Sequence, residues 1–554
     1  MILRSTKFNK LIKYIMKKKL LSLLFLAIPM LTFAQEKGLD QKIDEAFKPI
    51  SDFFSSVIFF PIYKSESIEI PFVLLLLVGS AAFFTLYFKF PNIFHFKTAI
   101  NVVRGKYDEL DHHSAGSDLA VDGDIKGTIK DESEEGEVTH FQALATAVSG
   151  TVGNGNIAGV ALAIALGGPG ATFWMVICGF LGMSTKFVEC TLGVQYRDVG
   201  EDGTVYGGPM YYISKGLKER GFEMLGKIAA VIFAVFCIGG SFGGGNAAQS
   251  NQATVVLKEL MGFESTGAGF WIGVVMAIVV GIIIIGGIKR IAQVTEKVVP
   301  FMAALYVLAC LYILGANFSL IDDAFALIFR EAFNPTAIGV GGFIGVLLVG
   351  FKRAAFSNEA GAGSASIAHS AVKTKYSASE GLVALLEPFI DTVVICTMTA
   401  LVIIIFNFGG DASTATIFEY GGDGVGAVFI DGEAYEGAAI TSKAFAEYIP
   451  FSNVFLTIAV VLFAVSTMIS WSYYGLQSWK YLFGRGKKAD MAYKLLFCLF
   501  VVIGAAASMK SIWDFSDAMI FAMVFPNMVG LYFLFPVVKK QLKRYTDAIK
   551  GVKA

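Results

Sequence analysis

The segment at 149–159, which reads SGTVGNGNIAG, is rich in residues that break helices, although it lies inside an apolar run of membrane length. Glycine weakens a helix interior, and asparagine brings polar groups into a medium that cannot solvate them. Irregular backbone at membrane depth is tolerated only where it is buried in protein or lines a watery cavity. A helix broken at mid-bilayer offers N–H groups, carbonyls and two half-helix dipole ends, which suit a small zwitterion and a cation. The segment therefore predicts a transport site.

The composition indicates a membrane protein. Of the 554 residues, 55% are hydrophobic and only 16% are charged, whereas a soluble globular protein carries about 25% charged residues. The net charge is zero, so the chain has no basic field that would favour a nucleic acid as a partner. The six cysteines lie far apart in apolar segments with no C-x-x-C spacing, which predicts buried thiols rather than a disulfide framework or a zinc site.

The first 34 residues are typical of a secretory signal peptide. Basic residues up to Lys19 precede a short apolar run at 20–31, and small residues then precede a cleavage site after Ala34. An uncleaved anchor is the alternative. The mixed polar and aromatic segment at 35–69 is predicted to be periplasmic or to lie along the membrane interface.

Beyond residue 69 the chain reads as about eleven successive apolar segments of membrane length, which predicts an all-α integral membrane protein. The first segment is a peripheral helix, and the other ten divide into two sets of five, at 141–316 and 336–537. The predicted helices lie near 70–88, 141–166, 170–196, 225–257, 268–287, 297–316, 336–371, 379–408, 451–482, 491–508 and 513–537.

Loop charges predict the orientation of these helices. Alternate connections, including the one at 89–140, are rich in Lys and Arg, and the tail at 538–554 is also basic. An opposite loop at 409–440 carries six acidic residues and no Lys or Arg. Because positive loops stay in the cytoplasm, the pattern predicts a multi-pass protein of the bacterial inner membrane, with the N-terminus outside and the C-terminus in the cytoplasm.

One cytoplasmic connection departs from the basic pattern. The stretch at 108–137 holds eleven Asp and Glu residues and the pair His112-His113. Acidic residues contribute little to topology, so the predicted orientation is unchanged. The stretch is interpreted as a solvated flexible insert, with a regulatory or divalent-cation-binding loop as the alternative.

A second glycine-rich interruption occurs in the later half of the chain, at 350–365, where the sequence reads GFKRAAFSNEAGAGSA. When the peripheral helix is left out, the two interruptions fall on core helices one and six. Paired interruptions at corresponding positions of two halves indicate a transporter site built from repeats. Five helices separate them, so the second half enters the membrane inverted. The sequence therefore predicts a five-plus-five inverted-repeat core of the leucine-transporter type.

Further polar residues lie inside predicted membrane helices. Asn246 and Gln249 have i,i+3 spacing on core helix three, and an amide that both donates and accepts suits a substrate with a carboxylate and an ammonium group. Ser466 and Thr467 lie on core helix eight, where hydroxyl and carbonyl oxygens are hard ligands that suit Na+. The alternative for these two hydroxyls is hydrogen bonding within their own helix.

Two pairs of ionisable residues also have helical spacing. Lys186 is followed by Glu189, and Glu387 is followed by Asp391. Neighbours at i,i+3 and i,i+4 share a helix face. We therefore interpret both pairs as structural or gating groups.

The chain resembles the alanine or glycine:cation symporter family of the amino acid–polyamine–cation superfamily. The resemblance implies secondary active uptake of small neutral amino acids with Na+, or with H+ in some members. It covers about 71–535 and rests on these motifs: FQAL at 141–144, GTVG at 150–153, GNIAG at 155–159, GGPG at 167–170, GMSTKF at 182–187, GGPMYY at 207–212, GGIKRI at 286–291, FSNEAG at 356–361, FIDT at 389–392 and WSYYG at 471–475.

The resemblance also implies the site residues. Backbone N–H groups of the first interruption would bind the substrate carboxylate, and Trp471 would limit side-chain size. Ser466 and Thr467, with backbone carbonyls near Gly150 and Gly153, would bind Na+. At Asn154 the chain departs from the family, which more often has Thr or a small apolar residue there. The implied substrate-binding set is Thr151, Gly153, Asn154, Gly155, Asn156, Gln249, Phe356, Ser357, Asn358 and Trp471.

Other function classes remain as alternatives or are excluded by the sequence. A proton-coupled carrier of other small metabolites is the nearest alternative. A cation channel would need a continuous polar pore, whereas the polar residues cluster at one depth. An enzyme is not predicted, because no strand precedes Gly153-x-Gly155 and no Walker A motif occurs. The sequence does not determine the oligomeric state, and no organic cofactor is expected.

Overall fold

The computed structural model describes residues 39–65, 68–108, 110, 136–200, 203–263, 267–333, 342–410, 412, 416–421 and 426–553. The predicted signal peptide, most of the acidic insert and the pair His112-His113 lie outside the described residues.

Ten helical segments, here called core helices 1 to 10, follow one another from His140 to Lys553. Two of them are interrupted. They are core helix 1 (His140–Thr151 and Gly155–Gly167), 2 (Gly170–Gln195), 3 (Glu223–Met261), 4 (Ala268–Ile284), 5 (Gly287–Ala316), 6 (Gly342–Asn358 and Ala365–His369), 7 (Ser377–Asn407), 8 (Ser452–Phe483), 9 (Lys487–Ala506) and 10 (Met509–Lys553).

The described helices agree with the predicted all-α membrane fold. Seven of them are long and apolar enough to cross a membrane, and core helix 1 makes eight when its two bent parts count as one span. The peripheral helix Phe72–Tyr87 and core helix 4 are apolar but shorter, at 16 and 17 residues. A helix of this length spans roughly 25 Å, slightly less than the hydrocarbon core of about 30 Å.

The two halves of the core contact each other through equivalent helices. Core helices 1 and 6, 2 and 7, 3 and 8, and 4 and 9 each pack together. Such contacts are expected when a two-fold axis relates the halves. Because each half contributes five helices, the second half begins on the opposite side of the membrane. The core is therefore a five-plus-five inverted repeat.

The segment before the core packs onto core helix 10. Helix Leu39–Ile58 is amphipathic and buries Phe47 against Phe515, with ring centroids 5.1 Å apart. The Ser51 hydroxyl donates to the Ser511 carbonyl at 2.8 Å. This helix therefore covers one end of core helix 10, and the peripheral helix Phe72–Tyr87 packs on core helices 2 and 10.

The remaining elements are short connections. Three antiparallel two-stranded hairpins join Pro61–Lys64 with Glu69–Pro71, Asp198–Val199 with Val205–Tyr206, and Ala427–Ile430 with Glu433–Glu436. The connecting helices are Pro91–Phe94, Phe96–Val103, Pro209–Glu219, Phe318–Leu320, Ile321–Phe333 and Ala438–Tyr448.

Candidate functional site

The first interruption bends core helix 1 by 51° between Thr151 and Gly155. Side-chain amides satisfy the backbone that the bend exposes. The Gly153 N–H donates to Asn156 Oδ1 at 2.9 Å, and the Asn154 N–H donates to Gln249 Oε1 at 3.0 Å. Two of the backbone donors that the sequence assigns to a substrate carboxylate therefore bind neighbouring amides in this structure. The Thr151 hydroxyl bonds carbonyls of its own helix.

Gly153 packs closely between core helices 3 and 8. A Cβ added to this glycine would lie 2.4 Å from Thr467 Oγ1 and 3.0 Å from Gln249 Oε1. No alanine fits at this separation unless Thr467 or the interruption itself shifts. The absence of a side chain at Gly153 thus lets the interruption reach both Gln249 and Thr467, as the predicted site requires.

Core helix 8 and the first interruption exchange hydrogen bonds between oxygens. Thr467 Oγ1 donates to the Ser149 carbonyl at 3.0 Å, and Ser149 Oγ donates to the Ser466 carbonyl at 2.8 Å. Ser466 Oγ instead donates to the Phe463 carbonyl of its own helix at 3.0 Å. The hydroxyls of Ser466 and Thr467 thus point in different directions, because adjacent residues lie about 100° apart around a helix. Thr467 presents its hydroxyl to core helix 1, whereas Ser466 presents its carbonyl.

The second interruption separates the two parts of core helix 6 and contains a buried carboxylate. Glu359 has a φ of +54°, an uncommon left-handed conformation for a residue other than glycine. Its Oε1 accepts from Trp471 Nε1 at 2.9 Å, and its Oε2 accepts from Ser364 Oγ at 2.5 Å. Trp471 therefore ties core helix 8 to this interruption. The predicted site residues omit Glu359, although it lies within the FSNEAG motif.

The last residues before the second interruption face different neighbours. The Phe356 ring packs on Trp513, with centroids 4.8 Å apart. Asn358 Nδ2 donates to Thr392 Oγ1 at 3.0 Å, and Asn358 Oδ1 accepts from the Ala360 N–H at 3.0 Å. In this structure the Asn358 side chain thus faces core helix 7 and caps the interruption, and its amide does not join that of Gln249.

Asp391 joins the two interruptions. Its Oδ1 accepts from Asn156 Nδ2 at 2.6 Å, and its Oδ2 accepts from Ser357 Oγ at 2.9 Å. Gly155 lies at the same contact, since a Cβ added there would be 3.4 Å from the Ser357 Cα. Asp391 thus bonds to residues of core helices 1 and 6, and its interpretation with Glu387 as a structural or gating group stays a prediction. A π-helical turn at Phe389–Cys396 changes the face that Asp391 presents.

Core helix 3 forms another wall of the site. A Cβ added to Gly245 would lie 2.1 Å from Trp471 Cγ, so only glycine lets these helices approach so closely. Gln249 Nε2 donates to the Gly244 carbonyl at 2.9 Å. Asn246 Nδ2 instead donates to the Phe497 carbonyl of core helix 9 at 2.7 Å. The expectation that Asn246 and Gln249 share one face is wrong, because a π-helical turn at Gly243–Ala247 precedes Gln249.

An aromatic and charged cluster that the sequence did not predict adjoins Phe356. Trp513 lies 3.6 Å from the position of a Cβ on Gly159, and the Arg353 guanidinium lies 5.3 Å from the Trp513 ring. Arg353 and Lys352 both pair with Asp517, with a Lys352 Nζ–Asp517 Oδ2 distance of 2.9 Å. The sequence feature that could have indicated this cluster is the pair of adjacent basic residues, Lys352 and Arg353, within an apolar helix.

The buried Lys186 pairs across helices. Its Nζ lies 3.0 Å from Glu387 Oε1 of core helix 7. Glu189 instead accepts from Asn527 Nδ2 at 2.6 Å. The contact between core helices 2 and 7 therefore supplies the ion-pair partner of Lys186, and the interpretation of Lys186 and Glu189 as structural or gating groups stays a prediction.

The predicted site is enclosed. Gln249, Thr467 and Trp471 lie around the two interruptions, and none of the predicted substrate-binding side chains is more than 5% exposed. Asn154 Nδ2 donates to the Gln249 carbonyl at 3.1 Å. In the part of the chain that the structure describes, Asn154 Oδ1 is buried and has no hydrogen-bond partner. An unpaired buried acceptor is costly, so this oxygen marks a place where a ligand donor would bind favourably.

Comparisons with known proteins identify the family. The model of the sodium:alanine symporter family matches residues 61–554. The sodium/alanine symporter AgcS of Methanococcus maripaludis is 38% identical over 482 residues, which are 87% of this chain and 95% of that protein. The probable sodium/glutamine symporter GlnT of Bacillus subtilis is 33% identical over 418 residues, which are 75% and 80% of the two chains.

Among solved structures, MhsT in complex with L-phenylalanine aligns with a TM-score of 0.47 at 14% identity, covering 73% of this chain and 100% of that one. The resemblance read from the motifs is confirmed by the family match. The chain belongs to the sodium:alanine symporter family, and it is a multi-pass membrane transporter rather than an enzyme.

Proposed function

We propose that this transporter carries small neutral amino acids, alanine and glycine, into the cell together with Na+ by alternating access. The observation that carries the proposal is the first interruption, where the buried Asn154 Oδ1 lies beside the backbone donors of Gly153 and Asn154. An amino acid zwitterion matches this arrangement, because its carboxylate accepts hydrogen bonds and its ammonium group, attached to the same carbon, donates them.

The carboxylate of the substrate would bind the first interruption. The N-terminal end of the second part of core helix 1 begins at Gly155, and its dipole favours negative charge there. The N–H groups of Gly153 and Asn154 now donate to neutral amides. A carboxylate is a stronger acceptor than an amide oxygen, so the substrate would displace Gln249 Oε1 or Asn156 Oδ1.

The ammonium group of the substrate would then bind amide oxygens. Asn154 Oδ1 has no donor, and Gln249 Oε1 would lose its donor when the substrate carboxylate takes over the Asn154 N–H. The ammonium group would then donate to both oxygens. Both oxygens belong to neutral side chains, so they bind an ammonium without adding a buried charge. We therefore assign Asn154 to substrate binding, at the position where the chain departs from the family pattern.

The surrounding aromatic side chains would limit the size of the substrate. Phe356 lies 3.5 Å from the position of a Cβ on Gly244, and Trp471 packs against Gly245. These contacts leave little room beside the interruption, which favours hydrogen or methyl as the substrate side chain. The relatives are named for alanine and for glutamine, so glutamine is the competing substrate.

Na+ would bind between core helices 1 and 8. The Ser149 carbonyl, the Ser466 carbonyl and Thr467 Oγ1 are hard oxygen ligands within one set of hydrogen bonds. The same core helix 1 carries the substrate N–H donors, so binding of Na+ would order the substrate site. A negative interior then contributes about 2.3 kcal/mol per charge per 100 mV. Coupling to H+ is the competing possibility.

Uptake into proteoliposomes tests this function. Radiolabelled alanine, glycine, serine and glutamine are offered with an inward Na+ gradient, with a K+ gradient, or with a pH gradient alone. We expect alanine and glycine to accumulate only with Na+. Accumulation driven by the pH gradient without Na+ would contradict the assignment of Na+ as the coupling ion. Exclusive uptake of glutamine would contradict the assignment of alanine and glycine as substrates.

We also propose that the protein lies in the inner membrane with its C-terminus in the cytoplasm. The alternating basic loops and the basic tail support this orientation. A reporter that fluoresces only in the cytoplasm, fused after Ala554, is expected to be bright. A dark reporter on a full-length, membrane-inserted fusion would contradict the orientation.

A further inference from the structure

A row of buried ionisable side chains runs through the contact between the two halves. Lys186 Nζ lies 3.0 Å from Glu387 Oε1, and Glu387 Oε2 lies 3.7 Å from His369 Nε2. His369 Nδ1 lies 2.5 Å from Glu380 Oε1, and the other oxygen of Glu380 contacts His140 Nδ1. We call these five residues the inner charge row. Its members are at most 10% exposed.

The inner charge row joins helix ends that belong to both halves. His140 is the first residue of core helix 1, and His369 is the last residue of core helix 6. Glu380 lies in the first turn of core helix 7. Beside these ends Arg197 donates to the Ser370 carbonyl at 3.0 Å. The adjoining loops are basic, which puts this end at the cytoplasm in the orientation proposed above.

His369 lies between two carboxylates. Glu380 and Glu387 only accept hydrogen bonds when ionised, and a neutral imidazole donates from one nitrogen alone. The side chains of all three residues are 0% exposed. An imidazolium donates to Glu380 Oε1 and turns its second N–H toward Glu387 Oε2 at the ion-pair distance of 3.7 Å, whereas a neutral His369 that donates to Glu380 would turn a lone pair toward that carboxylate. The geometry therefore favours a bound proton on His369 while the helices are packed together.

Most of the titratable groups that surround the inner charge row are acidic. Core helix 2 adds Glu189 and Cys190, and core helix 6 adds Glu359; both glutamates lie within electrostatic reach of Lys186. Core helix 8 adds Tyr474, and helix Pro209–Glu219 adds Tyr212. Within the row itself two glutamates face one lysine, so neutral imidazoles would leave one buried negative charge without compensation. Protons bound in the row reduce that charge.

We propose that His369 is a proton-binding site that holds the cytoplasmic gate closed and releases its proton to the cytoplasm when the gate opens. The gate is the contact of core helices 1, 2, 6 and 7 around the inner charge row. Opening exposes the imidazole to water, and the proton leaves His369 for water without any other bond changing; closing reverses this transfer. The inference rests on alternating access as the proposed function.

The sign of the pH effect follows from this exchange. An imidazole in water has a pKa of about 6.5, so at higher cytoplasmic pH the opened gate loses its proton and is favoured. At lower pH the proton stays bound, and closing becomes easier. One exchanged proton changes the opening equilibrium by at most about tenfold per pH unit.

Cys190 provides a readout that does not depend on transport. It forms a buried cluster with Ala147, Ala365 and Ala384, one residue from each of the four helices of the gate. Its exposure is 0%. A thiol reagent therefore reaches Cys190 only when these helices separate.

The test uses the full chain with Cys190 as its only cysteine, in vesicles whose interior is the cytoplasmic side of the protein, and the vesicles are treated with N-ethylmaleimide. The internal pH is varied from about 6 to about 8 while the external pH is fixed, and then the reverse. His369→Gln in the same background has the same thiol chemistry. The ratio of the two alkylation rates therefore removes the pH dependence of the thiolate itself.

We expect the ratio of the His369→Gln rate to the parent rate to fall on the order of tenfold as the internal pH rises over this range. External pH should have no effect. The control His95→Gln should behave as the parent, because His95 lies outside the inner charge row, at the end of helix Pro91–Phe94, and burial lowers its pKa. A ratio that does not change with internal pH would overturn the proposal.

Three further results keep the outcome decisive. If His369→Gln does not fold, alkylation of the parent that follows external rather than internal pH overturns the proposal. Normal Na+-driven alanine uptake with a pH-independent ratio contradicts this inference alone. A pH-dependent ratio in a protein that does not take up alanine contradicts the proposed function alone.

Discussion

The two interruptions look alike in sequence but differ in chemistry. The first covers three residues, Val152 to Asn154, and its backbone donors bind neutral amides. The second covers six residues from Glu359 to Ser364, and its carboxylate accepts from Trp471 and Ser364. Hydrogen bonds to neutral amides can be exchanged for stronger ones to a ligand, whereas bonds to a buried carboxylate are costly to break. We therefore expect the first interruption to bind the substrate and the second to position the helices around it.

Gly153→Ala is expected to have the largest effect on this division. The new Cβ would meet Thr467 Oγ1 at 2.4 Å, so either the Thr467 hydroxyl or the first interruption would be displaced from its position. We expect the rate of alanine uptake to fall by about a hundredfold or more, since a small misplacement of a site can cost that factor. Initial uptake rates in proteoliposomes measure the effect.

The matched control is Gly155→Ala, at the first residue after the same interruption. Its Cβ would lie 3.4 Å or more from its neighbours, an ordinary contact. We expect this variant to retain at least about a tenth of the uptake rate, since most changes in ordinary contacts cost about 1 kcal/mol. Equal losses in both variants would show that the close approach to Thr467 is not what the site needs.

The exchange of Gln249 and Asn358 for alanine tests which interruption binds the substrate. Gln249→Ala removes an amide that contacts the Asn154 N–H, and we expect the alanine KM to rise about tenfold to a hundredfold. Asn358→Ala removes bonds to Thr392 and Ala360, and we expect it to lower the free energy of unfolding by about 1–2 kcal/mol with little change in KM. Uptake kinetics and thermal unfolding in detergent measure both. A larger rise in KM for Asn358→Ala would reverse the assignment.

The helices were predictable from the sequence because each long apolar run needs a helix to satisfy its backbone in lipid. Both interruptions were predictable because glycine and polar residues disrupt these runs. Gly153, Gln249 and Thr467 lie together, and Trp471 lies at the second interruption; all four belong to the residues that the family resemblance implied. Their roles in binding stay a prediction.

The side-chain partners were less predictable. Asp391 contacts Asn156, and Lys186 contacts Glu387, although each pair is about 200 or more residues apart in sequence. Helical spacing describes only neighbours on one helix, so it could not identify these partners on other helices. A π-helical turn also inserts one residue and rotates the following face by about 100°. That rotation separates Gln249 from Asn246 and places Asp391 between the two interruptions.

Core helix 8 contacts both interruptions, and Thr467 tests its contact with the first. Thr467→Val removes the hydroxyl that donates to the Ser149 carbonyl while keeping the side-chain shape. We expect the Na+ concentration for half-maximal uptake to rise about tenfold, as for loss of one ligand worth about 1.4 kcal/mol. Ser466→Ala is the control, because its hydroxyl bonds its own helix. An equal rise in both variants would exclude a specific role for the Thr467 hydroxyl.

Trp471 tests the contact of core helix 8 with the second interruption and is expected to have the smallest effect on uptake. Trp471→Phe removes the Nε1 donor to Glu359 but keeps an aromatic ring against Gly245. Because the substrate donors lie at the first interruption, the alanine KM should change by less than about threefold. The free energy of unfolding should fall by about 1–3 kcal/mol, because Glu359 loses a buried partner. The smaller ring also enlarges the site, so larger neutral amino acids should compete better against labelled alanine. A tenfold or greater rise in the alanine KM would instead place substrate contacts at both interruptions and remove the distinction between them.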